Sequence, residues 1–170
     1  MFKIDSFGGA EAALGNASAR GLARTGAMIS GLSVAAFGML AAAPAHADAS
    51  EVYNGINQLR PCPPVRSDAH LAAAAQRHAN DMLAHGVSGH TGSDGSSPQA
   101  RMAATGAPAG ASGEIAFWGT GPLGTTAAAL DMWMKSPSHR AIIVDCTYTA
   151  AGFAIASDGF KTTIVGDFAA

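Results

Sequence analysis

Cysteine is scarce in this 170-residue chain: Cys62 and Cys146 are the whole complement. They lie 84 residues apart, which excludes the close C-x-x-C pairs of structural zinc sites. No basic run exists either. From residue 48 onward stand seven Lys/Arg and ten Asp/Glu, a net charge of −3. That balance argues against nucleic acid or an anionic membrane surface as the partner. No G-x-S-x-G elbow is present, so an esterase-type serine nucleophile lacks its turn. No apolar run reaches the ~20 residues of a spanning helix. There are no internal repeats.

The longest apolar run, Met28 to Ala43, has about 16 residues and follows Arg20 and Arg24. Ala45-His46-Ala47 comes next, a small-residue cleavage signal. This order predicts a secretory signal peptide over 1–47, cut before Asp48. The basic N-terminal region is long, so an uncleaved anchor is the alternative. Residues 48–170 form one domain of ordinary size. In an exported chain an even cysteine pair reads as a disulfide, with two zinc thiolates as the other reading.

Val52, Ile56 and Leu59 share a helical stripe over residues 50–60. Pro61, Pro63 and Pro64 stop that helix around Cys62. Asp68 caps a second helix whose inner face carries Leu71, Ala74, Ala75, His78, Met82 and His85. His78 and His85 read as core-edge histidines. Gly86 ends the helix. His90 follows in a polar, glycine-rich loop able to adapt its position. Ser97-Pro98 starts a short helix closed by Gly106. Glu114–Trp118 reads as a strand and 123–135 as a helix with Leu123, Leu130, Trp133 and Met134 inward. Ala151–Ala156 and Thr162–Phe168 make a hairpin around Ser157-Asp158-Gly159. The order favours α+β, a small antiparallel sheet covered by helices.

Trp133-Met134-Lys135-Ser136-Pro137-Ser138-His139-Arg140 reads as one helix ending and the next beginning. Ser136 is the expected N-cap, with Pro137 in the first helical position. His139 then sits in the first turn, where the helix dipole disfavours imidazolium. Neutral imidazole ligates metal or accepts a proton. Gly119-Thr120-Gly121-Pro122-Leu123-Gly124 matches a dinucleotide fingerprint. Pro122 removes a phosphate-binding N–H, and too little chain follows for a parallel sheet. A triad of Ser138, His139 and Glu114 lacks facing geometry, since sequence neighbours seldom oppose each other. His90, Glu114 and His139 remain: two imidazoles and a carboxylate, either a zinc ligand set or a hydrogen-bonded polar cluster.

Six stretches in this order resemble the CAP superfamily, or SCP domain, of cysteine-rich secretory proteins, venom antigens and plant pathogenesis-related proteins. They are Ile56–Arg60, Leu71–Met82, Gly89–Gly95, Gly113–Ala116, Trp133–Arg140 and Ala151–Ala154. The cysteine pair is similar to that of the mycobacterial-type branch. The resemblance implies a three-layer α-β-α sandwich over about residues 50–168. It also implies a groove with two histidines and two acids, onto which His90, His139 and Glu114 map. The second acid is expected just after Trp133, where Met134, Lys135 and Ser136 stand instead; Asp131 lies one turn too early. The family's usual Gly-Glu-Asn is Gly-Glu-Ile here. Trp118, Trp133 and Ser136 are read as lining the groove. The implied function is a secreted module binding a divalent metal, zinc foremost, and a lipid or sterol. A metal-dependent hydrolase of peptides or cell-wall material, with Glu114 as acid/base, is the alternative. A structural surface protein is a third. A hydrolase needs a general base besides its ligands, so the missing acid favours the binding module.

Overall fold

A computed structural model of the chain describes residues 47–170. The signal-peptide reading and its apolar run lie outside the described residues. Among these no helix is long and apolar enough to cross a membrane.

Helix α1 spans Ala49–Leu59 and buries Val52 and Ile56. Its last stripe residue, Leu59, stays on the surface. Strand β1 is only Arg66–Ser67. Helix α2, Ala69–His85, is capped by Asp68, whose carboxylate accepts the N–H of His70 and Leu71. Gly86 ends α2 in the left-handed region at φ 70°. Helix α3, Pro98–Thr105, starts at its Ser97 cap. Strand β2 is Ser112–Thr120, longer than the predicted strand at both ends. Helix α4 is Thr126–Lys135 and α5 is Pro137–Val144. Strands β3, Ala150–Ser157, and β4, Lys161–Ala169, form the expected hairpin.

The sheet order is β1-β3-β4-β2. Its three long strands are antiparallel, and β1 adds a parallel pair with β3. The sheet is therefore mixed where the sequence predicts antiparallel, because two residues are too short to show a strand period. The antiparallel pairing of β2 with β4 also removes the dinucleotide fold. Gly119 to Gly124 is a tight turn in which a Cβ on Gly119 would stand 2.4 Å from the Leu123 carbonyl oxygen.

Alternation along the strands divides two cores. Ile115, Phe117, Phe153, Ile164 and Phe168 face α1, α4 and α5, packing on Val52, Ile56, Trp133 and Ile143. Ala154, Ala156 and Val165 face α2 and meet Ala75, Ala79 and Met82. The alanines let α2 approach closely: a Cβ on Gly152 would stand 2.0 Å from the Ala72 backbone nitrogen. The result is an α+β sandwich, α2 and α3 over one face and α1, α4 and α5 over the other.

Two inward assignments change. Leu123 lies in a 3₁₀ turn, Gly121–Leu123, ahead of α4, and is exposed. His85 is on the outer face of α2, bonded to Asp81 at 2.8 Å with its side chain 61% exposed. His78, by contrast, is completely buried.

Cys62 and Cys146 are disulfide-bonded, closing the end of α1 onto the end of α5. Arg60 reinforces that junction: its guanidinium donates to the carbonyls of Ile143 and Tyr148, both at 2.8 Å.

Candidate functional site

Glu114 is where the elements converge. It is the third residue of β2, on the α2 face, and is buried, its side chain 1% exposed. Its Oε1 accepts from His90 Nδ1 at 2.8 Å and its Oε2 from Arg101 Nη2 at 2.6 Å. His78 Nε2 lies 3.8 Å from Oε1. Burial alone would raise the Glu114 carboxyl; the bonds from His90 and Arg101 outweigh it and hold the group below the usual carboxylate range. Each oxygen already accepts one hydrogen bond, and the buried carboxylate makes its contacts inside the cluster, where it stands behind His90 and fixes the ring's orientation.

His90 does not sit in an adaptable loop. His78 Nε2 bonds the Gly89 carbonyl at 2.8 Å, and Arg101 Nη2 donates to the His90 carbonyl at 3.0 Å. The Asp81 carboxylate accepts the Ser93 N–H, and Arg77 pairs with Asp94 at 2.7 Å. In the neutral tautomer, donation from Nδ1 to the carboxylate leaves the His90 lone pair on Nε2.

His139 comes from the first turn of α5 as predicted, by a different device. Ser136 makes no side-chain cap to α5. Its hydroxyl oxygen instead lies 2.8 Å from His139 Nδ1 and 3.2 Å from the Ser138 hydroxyl. Burial first, and His90 second, push the His139 imidazole below its usual value, so it is neutral at pH 7. The rings of His90 and His139 lie 6.1 Å apart between centroids, tilted by 46°. The structure thus brings together His90, His139, Glu114 and Ser136.

The two tryptophans lie elsewhere. Trp133 is 0% exposed, its indole N–H donating to the Ala116 carbonyl at 3.0 Å. It is core, so it does not line a groove. Trp118 is exposed, four residues along β2 from Glu114 or ~13 Å, with the Lys161 ammonium 5.7 Å from its ring. Asp131, the near-miss for a second acid, is exposed and paired with Lys135 at 2.8 Å.

Sequence reasoning missed Arg101, His78 and Asp167. His78 carried a signal, its place on the apolar face of α2. Arg101 carried none. Asp167 is an acid in the apolar half of its strand, a position where acids are rarely buried without partners. It is fully buried, and neither carboxyl oxygen has a hydrogen-bond partner among the described residues.

Among the described residues no group of three or more His, Cys, Asp or Glu side chains is arranged to hold a metal ion. The donor set is two imidazoles, which fits a shallow two-ligand site rather than the three-ligand centre of a catalytic zinc. A separate apolar groove of about 310 Å³ lies between α1 and α4, lined by Gly55, Gln58, Leu59, Leu130, Asp131 and Met134.

The profile of the cysteine-rich secretory protein family, CAP, matches residues 51–168. An extracellular protein containing an SCP domain, from Bacillus anthracis strain Ames, has a similar structure: TM-score 0.61 at 20% identity over 71% of this chain. The match spans only 39% of that protein's length. An outer surface protein from Borrelia burgdorferi matches with TM-score 0.58 at 20% identity, over 70% of this chain and 86% of that one. No curated protein matches significantly.

Proposed function

The chain belongs to the cysteine-rich secretory protein (CAP) family, and on that premise we propose that it is an exported binding module whose His90–His139 face holds a divalent cation. One observation carries this reading. Each histidine has its Nδ1 engaged, by Glu114 or by Ser136, and the two rings stand 6.1 Å apart. That leaves the two Nε2 atoms as the donors, and zinc is among the divalent ions that imidazole suits. Bound zinc would supply a cationic point that holds solvent or an anionic ligand group. Within the chain, Glu114 fixes the tautomer of His90, Arg101 neutralises Glu114, and Ser136 steers His139. Glu114 is buried and bonded to His90 and Arg101, out of reach of a substrate water, so hydrolysis is the weaker reading.

Export is supported by the predicted signal peptide, by a disulfide of the kind oxidising compartments preserve, and by the extracellular and outer-surface relatives. Mass spectrometry of secreted protein should find an N-terminus at or near Asp48. A lipid or sterol is the second ligand proposed, favoured by the apolar lining of the α1–α4 groove.

Zinc titration by calorimetry on residues 48–170 tests the cation site. His90→Ala and His139→Ala should each remove most binding, and affinity should fall as pH drops through roughly 6–6.5, where imidazoles protonate. Undetectable binding at millimolar zinc and neutral pH, or binding unchanged in His90→Ala, overturns the cation site. A vesicle-extraction assay with cholesterol and fatty acid then decides the lipid reading by itself.

A further inference from the structure

Strand register places Gly152, Asp167 and Glu114 in one row across β3, β4 and β2. Cross-strand neighbours in such a row carry Cβ atoms about 4.5–5.5 Å apart. The row lies on the face beneath α2. Along β4, the same-face neighbours of Asp167 are Val165 and Ala169, both buried. Gly152 offers no side chain, and the α2 backbone presses directly on it. Among these neighbours only Glu114 is polar. Asp167 is 0% exposed, and both its oxygens lack a donor among the described residues. An ionised carboxylate there would be dry, unpaired and beside a second carboxylate that Arg101 and His90 already satisfy. A carboxyl group so placed keeps its proton.

We propose that Asp167 is a positioning residue: a neutral carboxylic acid that donates its O–H to Glu114 and so fixes the carboxylate that orients His90. The charged and titratable groups facing this pair are Arg101 from α3, His78 from α2 and His90 from its loop. From β3 only Gly152 faces it. With Asp167 neutral, one guanidinium balances one carboxylate in the buried cluster. Burial and the neighbouring Glu114 together push the Asp167 carboxyl up to about 9, in accord with that balance.

The proposal deepens the reading of His90 as the oriented group, and its first readouts need no metal. Infrared difference spectra of metal-free protein at pH 7 should contain a protonated-carboxyl C=O stretch that Asp167→Asn abolishes. The Nδ1–H proton of His90, followed by NMR, should be protected from solvent exchange in wild type. It should stay protected in Asp167→Asn, whose amide replaces the O–H donor. Asp167→Val should lose that protection and bind zinc about tenfold more weakly. If Asp167→Val fails to fold, the infrared band and Asp167→Asn decide. Absence of the band, loss of protection in Asp167→Asn, or full protection in Asp167→Val overturns the proposal. A wild type that binds no zinc yet shows the band and the protection overturns the cation site alone.

Discussion

Arg101 and Glu114 meet at 2.6 Å with both side chains 1% exposed, so each is the other's answer to burial. Arg101 also ties the loop down through the carbonyls of His90 and Ser96. Arg101→Met should cost about 3–5 kcal/mol, because it leaves a buried carboxylate without its cation. Urea denaturation measures it. A loss below 1 kcal/mol would show that Glu114 takes up a proton or finds solvent instead.

Ser136→Ala separates two roles for one hydroxyl. An N-cap serine costs about 1 kcal/mol when truncated. Ser136 makes no such cap, and its oxygen faces His139. Thermal stability should therefore stay within ~0.5 kcal/mol, the range of an ordinary surface change, while zinc affinity drops by about tenfold. Calorimetry on the purified variant gives both numbers.

Gly152→Ala should be severely destabilising. The new methyl would meet the Ala72 backbone nitrogen at 2.0 Å and the Leu71 carbonyl carbon at 2.4 Å. Backbone cannot swing aside as a flexible side chain does, so the cost should reach at least the ~1–3 kcal/mol of overpacking. A melting temperature equal to wild type would mean that α2 stands further from the sheet.

Stability should fall as pH rises above about 6.5. The unfolded chain has released the Asp167 proton there, since a free aspartate titrates near ~3.9. The folded chain keeps it up to about 9. Folded protein thus binds more protons, and the linkage slope is negative, at most about 1.4 kcal/mol per pH unit. Below ~6.5 the sign reverses for His78 and His139. Burial holds both imidazoles below their usual value, so unfolded protein takes up protons first and stability declines toward acid. Guanidinium unfolding from pH 5 to 9 should show a maximum, and Asp167→Asn should flatten the alkaline limb and steepen the acid one.

Reduction of the Cys62–Cys146 bond should cost roughly 2–4 kcal/mol, chiefly by freeing the unfolded chain. The midpoint of urea unfolding with and without reductant reports it. Native protein that reacts with thiol reagents before reduction would contradict the bond.

Most elements were legible because their signals are local. Asp68, Gly86, Ser97-Pro98 and Gly106 mark helix ends by their own backbone chemistry, and the hairpin announces itself through Ser157-Asp158-Gly159. Strand β1 was not legible, since two residues have no period. The site was half legible. His90, Glu114 and His139 are polar residues without a packing reason in their own segments. Arg101 and Asp167 become part of the cluster only through register and helix placement, which sequence spacing does not carry. Trp133 misled because a large aromatic beside a polar octapeptide suits a groove wall and a core equally; its indole N–H found a buried carbonyl and settled inside.

The covalent loop closed by Cys62 and Cys146 encloses His78, His90, Arg101, Glu114, Ser136 and His139, while Asp167 lies beyond it. A single cut in the exposed segment between α3 and β2 would leave two pieces still tethered through sulfur. The clipped molecule would keep its mass and its histidine face on a non-reducing gel and fall into two bands on a reducing one. For a protein met by proteases, that crosslink turns a backbone break from a dissociation into a scar.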